Sequence, residues 1–166
     1  MIVPVVTINE KSPYFVEEIE HNNFVFMTRY GIKYNVGFSP DTMFYSKGCY
    51  QFYIINVDHS NFIKDPLVRE TIEAVIEAFF KQEPSVLLYI CDIIDGRQAT
   101  RNRLFRSWYN KSKNKHLYTL VNKSMCYNGI TFYSAIILKT DHPKHDEVID
   151  LFIGYIESLP NKLDEL

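Results

Sequence analysis

The sequence predicts an α+β protein: one mixed, mostly antiparallel sheet of about six strands covered by three helices, in the order β-β-β-α-β-α-β-β-α. Three observations predict it. Val86 to Cys91 is an unbroken apolar run of strand length bounded by Pro84-Ser85 and Asp92, as expected of a strand covered on both faces. Val68, Ile72, Val75, Ile76, Phe79 and Phe80 recur at helical spacing just before it. Asn128-Gly129 separates two β-rich runs, which is the strongest short-range hairpin signal. A chain of 166 residues buries a sufficient core as one domain, 1–166.

In order along the chain, residues 1–22 read as an arm or a short first strand over 2–8, then a loop at Lys11-Ser-Pro and an acidic stretch at Glu17–Glu20. Phe24–Thr28 and Ile32–Phe38 form a hairpin, the second run alternating Ile32, Tyr34, Val36 and Phe38 against Lys33, Asn35 and Gly37. Ser39-Pro-Asp ends it, and Tyr50–Val57 supplies a third strand that is apolar on both faces. Asp65 caps the first helix and Pro66 occupies its first position. The helix ends near Glu83-Pro84, so strand, helix and the Val86–Cys91 strand make a right-handed parallel crossover. A second helix runs from Asp95 as cap to about Asn110, with Leu104 and Trp108 facing inward and Phe105 and Tyr109 beside them. Extending that stripe backwards places Arg101 and Arg97 on the same core-facing side. Leu117–Val121 and Ile130–Leu138 form the last hairpin, and Asp141-His-Pro143 caps a third helix that Pro160 ends.

Composition narrows the function classes. Twelve Tyr, twelve Phe and one Trp must carry much of the packing. Cys49, Cys91 and Cys126 are odd in number and form no C-x-x-C pair, which argues against a disulfide framework or a thiolate metal site and fits a reduced, cytoplasmic protein. The start of the chain has no basic region and is broken by Pro4, so it does not read as a secretory leader, and no apolar run approaches the roughly 20 residues of a spanning helix. No membrane partner is expected.

The net charge of −2 conceals a segregation. Gly96 to Thr140 holds nine Lys/Arg and no Asp or Glu, leaving nine basic and twenty acidic side chains elsewhere. Two readings follow. In the first, Asp92, Asp95, Arg97 and Arg101 line a pocket at the carboxyl end of the central strand that accepts an anionic small molecule or acyl carrier, the alternative for these four being a structural salt-bridge cluster that satisfies the arginines and caps the helix. In the second, Arg103, Arg106, Lys111, Lys113 and Lys115 form a surface for nucleic acid or an acidic protein, with Trp108 and Tyr109 interleaved. The pI near 6.2 lies below the usual range of nucleic-acid-binding domains. Cys91 could act as a nucleophile only beside a base, and no His pairs with it in the sequence, so it reads as core. His142 and His145, with Asp146, read as a solvated first helical turn, and no metal or cofactor is implied.

The pattern Tyr89-x-Cys-Asp-x-x-Asp-Gly-Arg-Gln-x-x-Arg-x-Arg-x-Phe-x-x-Trp108, preceded by Thr71-Ile72 and Phe79-Phe80, resembles an uncharacterised bacterial domain family of unknown activity. The order of elements over 24–139 also resembles the later two-thirds of GCN5-related N-acetyltransferases. That resemblance implies a coenzyme A pyrophosphate loop after Tyr50–Val57, but the loop here, Asp58-His-Ser-Asn-Phe-Ile-Lys-Asp-Pro, has no glycine. Where the family often carries an asparagine, an alanine and a tyrosine acid, this chain has Gln98, Arg101 and Phe105.

Overall fold

The computed structural model describes residues 1–82 and 84–165. It contains one mixed sheet of seven strands in the order β1-β2-β3-β4-β5-β7-β6 and four α-helices, one strand and one helix more than the sequence reading gives. The strands are β1 (Val16–Glu20), β2 (Asn23–Met27), β3 (Lys33–Asp41), β4 (Cys49–Asn56), β5 (Val86–Ile90), β6 (Tyr118–Tyr127) and β7 (Ile130–Lys139). The helices are α1 (Val5–Asn9), α2 (Pro66–Phe80), α3 (Gln98–Lys111) and α4 (His145–Asp164). The chain forms two compact units, Met1–Ser39 with Phe52–Glu83, and Pro40–Gln51 with Pro84–Leu166.

In the first unit, the start of the chain is a one-turn helix rather than a strand. Pro4 precedes α1, and Val3 and Ile8 are fully buried. Asn22, in a left-handed turn at φ 57°, accepts from the Val3 amide and donates to the Met1 carbonyl, which fastens this segment down. The acidic stretch proves to be β1, an edge strand pairing antiparallel with β2 and burying only Val16. Its glutamates hid it, because an edge strand with one inward residue shows no alternation. The β2–β3 hairpin matches the expected pairing, though β3 continues through Pro40 to Asp41. Asp65 caps α2 as expected, its Oδ1 accepting from the Leu67 amide at 3.1 Å. Phe79 of α2 stacks on Phe38 of β3 at 4.6 Å, and Phe38 meets Phe52 of β4 at 5.6 Å.

In the second unit, β5, β7 and β6 form a continuous antiparallel ladder. Val86, Leu88, Ile136 and Leu138 point to one face, where Val148, Phe152 and Ile156 of α4 cover them with Tyr45 and Cys49. Leu87 and Tyr89 point to the opposite face, where α3 lies. The last hairpin turns at Asn128-Gly129 with φ of 49° and 75°, the left-handed pair that a two-residue turn between twisted strands requires. Helix α4 begins at His145, after Lys144, instead of at Asp141-His-Pro143, and it continues through Pro160. Proline there forgoes a single amide bond near the helix end, which is less costly than in mid-helix.

His142, expected on a solvated turn, is 6 % exposed. Its Nδ1 accepts from the Lys144 amide at 3.1 Å and its ring stands edge-on to Tyr45. Burial, with His145 nearby, holds its pKa below the ordinary histidine value of 6.5. The unfolded chain therefore binds a proton that the native state resists, so this contribution to stability is full above about pH 6.5 and is lost as pH falls below it. His142→Asn, whose side-chain oxygen can accept the same amide, should flatten the decline of Tm measured between about pH 7.5 and 5.5. Parallel declines in both proteins would contradict this placement.

Candidate binding site

The loop leaving β5 folds back on itself. Asp92 Oδ1 accepts from the Ile94 amide at 2.9 Å, Asp95 Oδ1 accepts from the Arg97 amide at 3.0 Å, and Gly96 sits at φ 69°. Two successive side-chain-to-backbone turns of this kind set the direction in which α3 starts. Asp95 thus precedes the helix without capping it; Arg97 holds the cap position and makes no side-chain cap bond.

Arg101 reaches back from the first turn of α3. Its Nη1 donates to Asp95 Oδ1 at 2.7 Å and to the Asp92 carbonyl at 2.9 Å, while Nη2 donates to Asp95 Oδ2 at 2.5 Å. This bidentate geometry is the strong form of a guanidinium–carboxylate pair. The Arg101 guanidinium, helped by the Arg97 amide, holds the Asp95 carboxyl down at about 2. Asp92, Asp95 and Arg101 do share one spot, as the sequence suggests. The spot is at the surface, though: Asp92 and Asp95 are exposed and Arg101 is half-buried, so neither Arg101 nor the exposed Arg97 takes the core-facing side expected of it.

The reason is a rotation of α3 by one residue from the expected stripe. Four residues at positions i, i+4, i+7 and i+11 face the sheet: Gln98, Asn102, Phe105 and Tyr109. Gln98 Nε2 donates to the Thr131 carbonyl at 3.2 Å, and Asn102 Oδ1 accepts from Asn122 Nδ2 at 2.6 Å. The Phe105 ring lies 4.1 Å from that of Tyr89, and the Tyr109 hydroxyl donates to the Tyr118 carbonyl at 2.7 Å. This seam is mostly amide and hydroxyl, so hydrophobic periodicity pointed to Leu104 and Trp108 instead. Both of those are half-buried.

With the seam so placed, Arg97, Arg103, Arg106, Lys111, Lys113 and Lys115 are all exposed. Among the described residues, none of the six lies within 4 Å of a carboxylate; Arg101 is the single cation of this segment in an ion pair. Trp108 meets Phe105 edge-on at 5.1 Å, and Tyr109 is tied to β6, so these rings are engaged with the fold.

Other groups are settled by burial. Cys91 is 2 % exposed, its Sγ donates to the Tyr89 hydroxyl at 3.4 Å, and burial pushes both the thiol and the phenol upward in pKa. A thiol held protonated is a poor nucleophile. Among the described residues, no three His, Cys, Asp or Glu side chains are grouped to hold a metal ion, and no helix is long and apolar enough to cross a membrane. An open groove of about 680 Å³, with no counterpart in the residue pattern, runs along α4 and is lined by Met43, Phe44, Asp150, Leu151, Tyr155 and Lys162 among others. Its lining comes from a loop and a helix far apart in the chain.

Residues 64–153 match the family of unknown function DUF6169. The chain belongs to that family. The matched segment contains the Asp95–Arg101 clasp, all of α3 and the whole of the last hairpin. No curated protein matches the chain.

Arg101→Met should return the Asp95 carboxyl toward the ordinary value of 3.8, read by carboxyl-carbon NMR titration. Because the native pKa is depressed, the stability it contributes is present above about pH 4 and is lost as pH falls toward 2. An Asp95 titration unchanged in the variant would show that the clasp does not form.

Proposed function

We propose that this DUF6169 chain is a binding domain for an acidic protein partner, recognised through the cationic face of α3. One observation carries the reading: six exposed Lys and Arg side chains line α3 and the turn after it, with no carboxylate within 4 Å among the described residues. Unpaired cations of one sign are costly to gather and serve to attract an anionic surface. An acidic protein suits this face better than single-stranded nucleic acid, because base stacking needs free ring faces, and Phe105 packs on Tyr89, Tyr109 is bonded to β6 and Trp108 stands edge-on to Phe105. The alternative pocket at Asp92, Asp95, Arg97 and Arg101 receives less support, since the Arg101 charge is already paired with Asp95.

Elements β2 to β7 follow the order of the N-acetyltransferase resemblance: three strands, helix, strand, helix, hairpin. What supports a binding role over acyl transfer is the chain's own residues. The loop after β4 has no glycine, and Phe105, at the place where that family often has a tyrosine acid, has no ionisable proton and packs tilted against Tyr89. A scaffold can persist after its chemistry has gone.

Poly-glutamate should bind the full chain at low salt and release as salt rises, because exposed pairs are screened over about 10 Å at 0.1 M. Replacing Arg103, Arg106 and Lys113 together by Ser should weaken binding roughly five- to thirty-fold in fluorescence anisotropy. No binding at low salt, or tighter binding of oligothymidylate than of poly-glutamate, would overturn the assignment.

A further inference from the structure

The two outer strands of the sheet are β1 and β6, and they are protected unequally. Strand β1 is short, exposes Glu17, Glu18 and Glu20, and carries a register shift between Glu18 and Glu20. Charges and irregularities of this sort discourage another strand from pairing there. Strand β6 is ten residues long, regular in register, free of proline, and charged only at Lys123.

The hydrogen-bonding direction of β6 can be read from its start. The Leu117 carbonyl accepts from the Thr140 amide at 3.0 Å, so residue 117 and its odd-numbered successors turn toward β7. Even-numbered residues turn away. At the first of these positions the Tyr109 hydroxyl fills the gap, donating to the Tyr118 carbonyl and accepting from the Leu120 amide. Beyond it nothing does. Among the described residues, no bond reaches the outward main-chain groups of Asn122, Ser124 or Cys126, and Ser124 and Cys126 are exposed.

The α3 side of this open stretch is cationic, whereas on the opposite face Asp164 of α4 reaches the Tyr127 hydroxyl. Arg106 lies four residues after Asn102 and three before Tyr109, the two α3 side chains that touch β6, so it stands on the β6 flank of the helix. Arg103 lies beside it, Lys123 is on the strand, and no Asp or Glu occurs between Gly96 and Thr140.

We infer that the outward edge of β6 from Asn122 to Cys126 accepts an extended acidic segment of the protein partner as an added strand. Main-chain groups of the segment pair with Asn122, Ser124 and Cys126, and its carboxylates on the α3 side meet Arg103 and Arg106. Strand addition of this kind takes affinity from the backbone and selectivity from alternate side chains. A second copy of the chain fits the edge less well, since it would bring two acid-free segments together. The inference rests on the acidic-partner reading and adds how the partner is held.

A capped peptide alternating valine and glutamate, labelled with fluorescein, tests it against the same peptide N-methylated at alternate residues, which keeps the charge and loses the donors. The full chain should bind the unmethylated peptide about tenfold more tightly or better, the worth of one or more lost main-chain bonds. Ser124→Pro should abolish that difference while leaving circular dichroism unchanged, because proline is tolerated where a strand's amide faces outward. Equal binding of both peptides overturns strand addition and leaves the acidic-partner reading standing. Binding of neither peptide, together with failure of poly-glutamate, ends both readings. Concentration-dependent dimers that disperse in Ser124→Pro would give the edge to a second copy and overturn the inference.

Discussion

Tyr89 of β5 holds the Phe105 ring of α3 at 4.1 Å, and the direction in which that helix turns its cations follows from this contact. A ring pair of this kind contributes roughly 0.5–1.5 kcal/mol beyond its buried area. The rest of the seam is polar. Gln98, Asn102 and Tyr109 each bond to β6 or β7, and a net contribution of about 1 kcal/mol per bond is typical. Shifting the seam by one residue would separate the buried Asn102 from the half-buried Asn122 and cost both amides their shared bond. That penalty fixes the rotation of α3 more tightly than a greasy stripe would, and it sends Arg97, Arg103 and Arg106 outward.

The opposite face of the same three strands obeys ordinary packing. Val86, Leu88, Ile136 and Leu138 meet Val148, Phe152 and Ile156, and an apolar interface of that extent holds α4. Charge divides along with polarity. Helix α3 carries Arg101, Arg103, Arg106 and Lys111 with no acid, whereas α4 carries Asp146, Glu147, Asp150, Glu157 and Asp164 against Lys162. The sheet thus separates a cationic layer from an anionic one, so a small net charge conceals a strong local segregation.

Most of this architecture was legible from residue pattern. Asp65-Pro66 fixed the start of α2, Asn128-Gly129 fixed the last turn, and the apolar run at Val86 marked an interior strand. The failures have physical causes. Glu17, Glu18 and Glu20 disguised β1 because an edge strand need bury only one side chain. Pro160 looked like a stop, yet a helix near its own end loses little by including it. At the candidate site, the Asp95–Arg101 pairing could be foreseen from spacing and charge. The inward face of α3 could not, because amides and a phenol carry no hydrophobic period. The open rungs of β6 follow from hydrogen-bond direction, which depends on the pairing register with β7 and is invisible in composition.

Amide hydrogen exchange in the unliganded chain tests this arrangement most directly. The amides of Val121, Lys123 and Met125 bond to β7 and should exchange slowly, while those of Asn122, Ser124 and Cys126 should exchange rapidly. Uniform protection along 121–126 would show that something already covers the edge, and the account of an open, cation-flanked strand would fail.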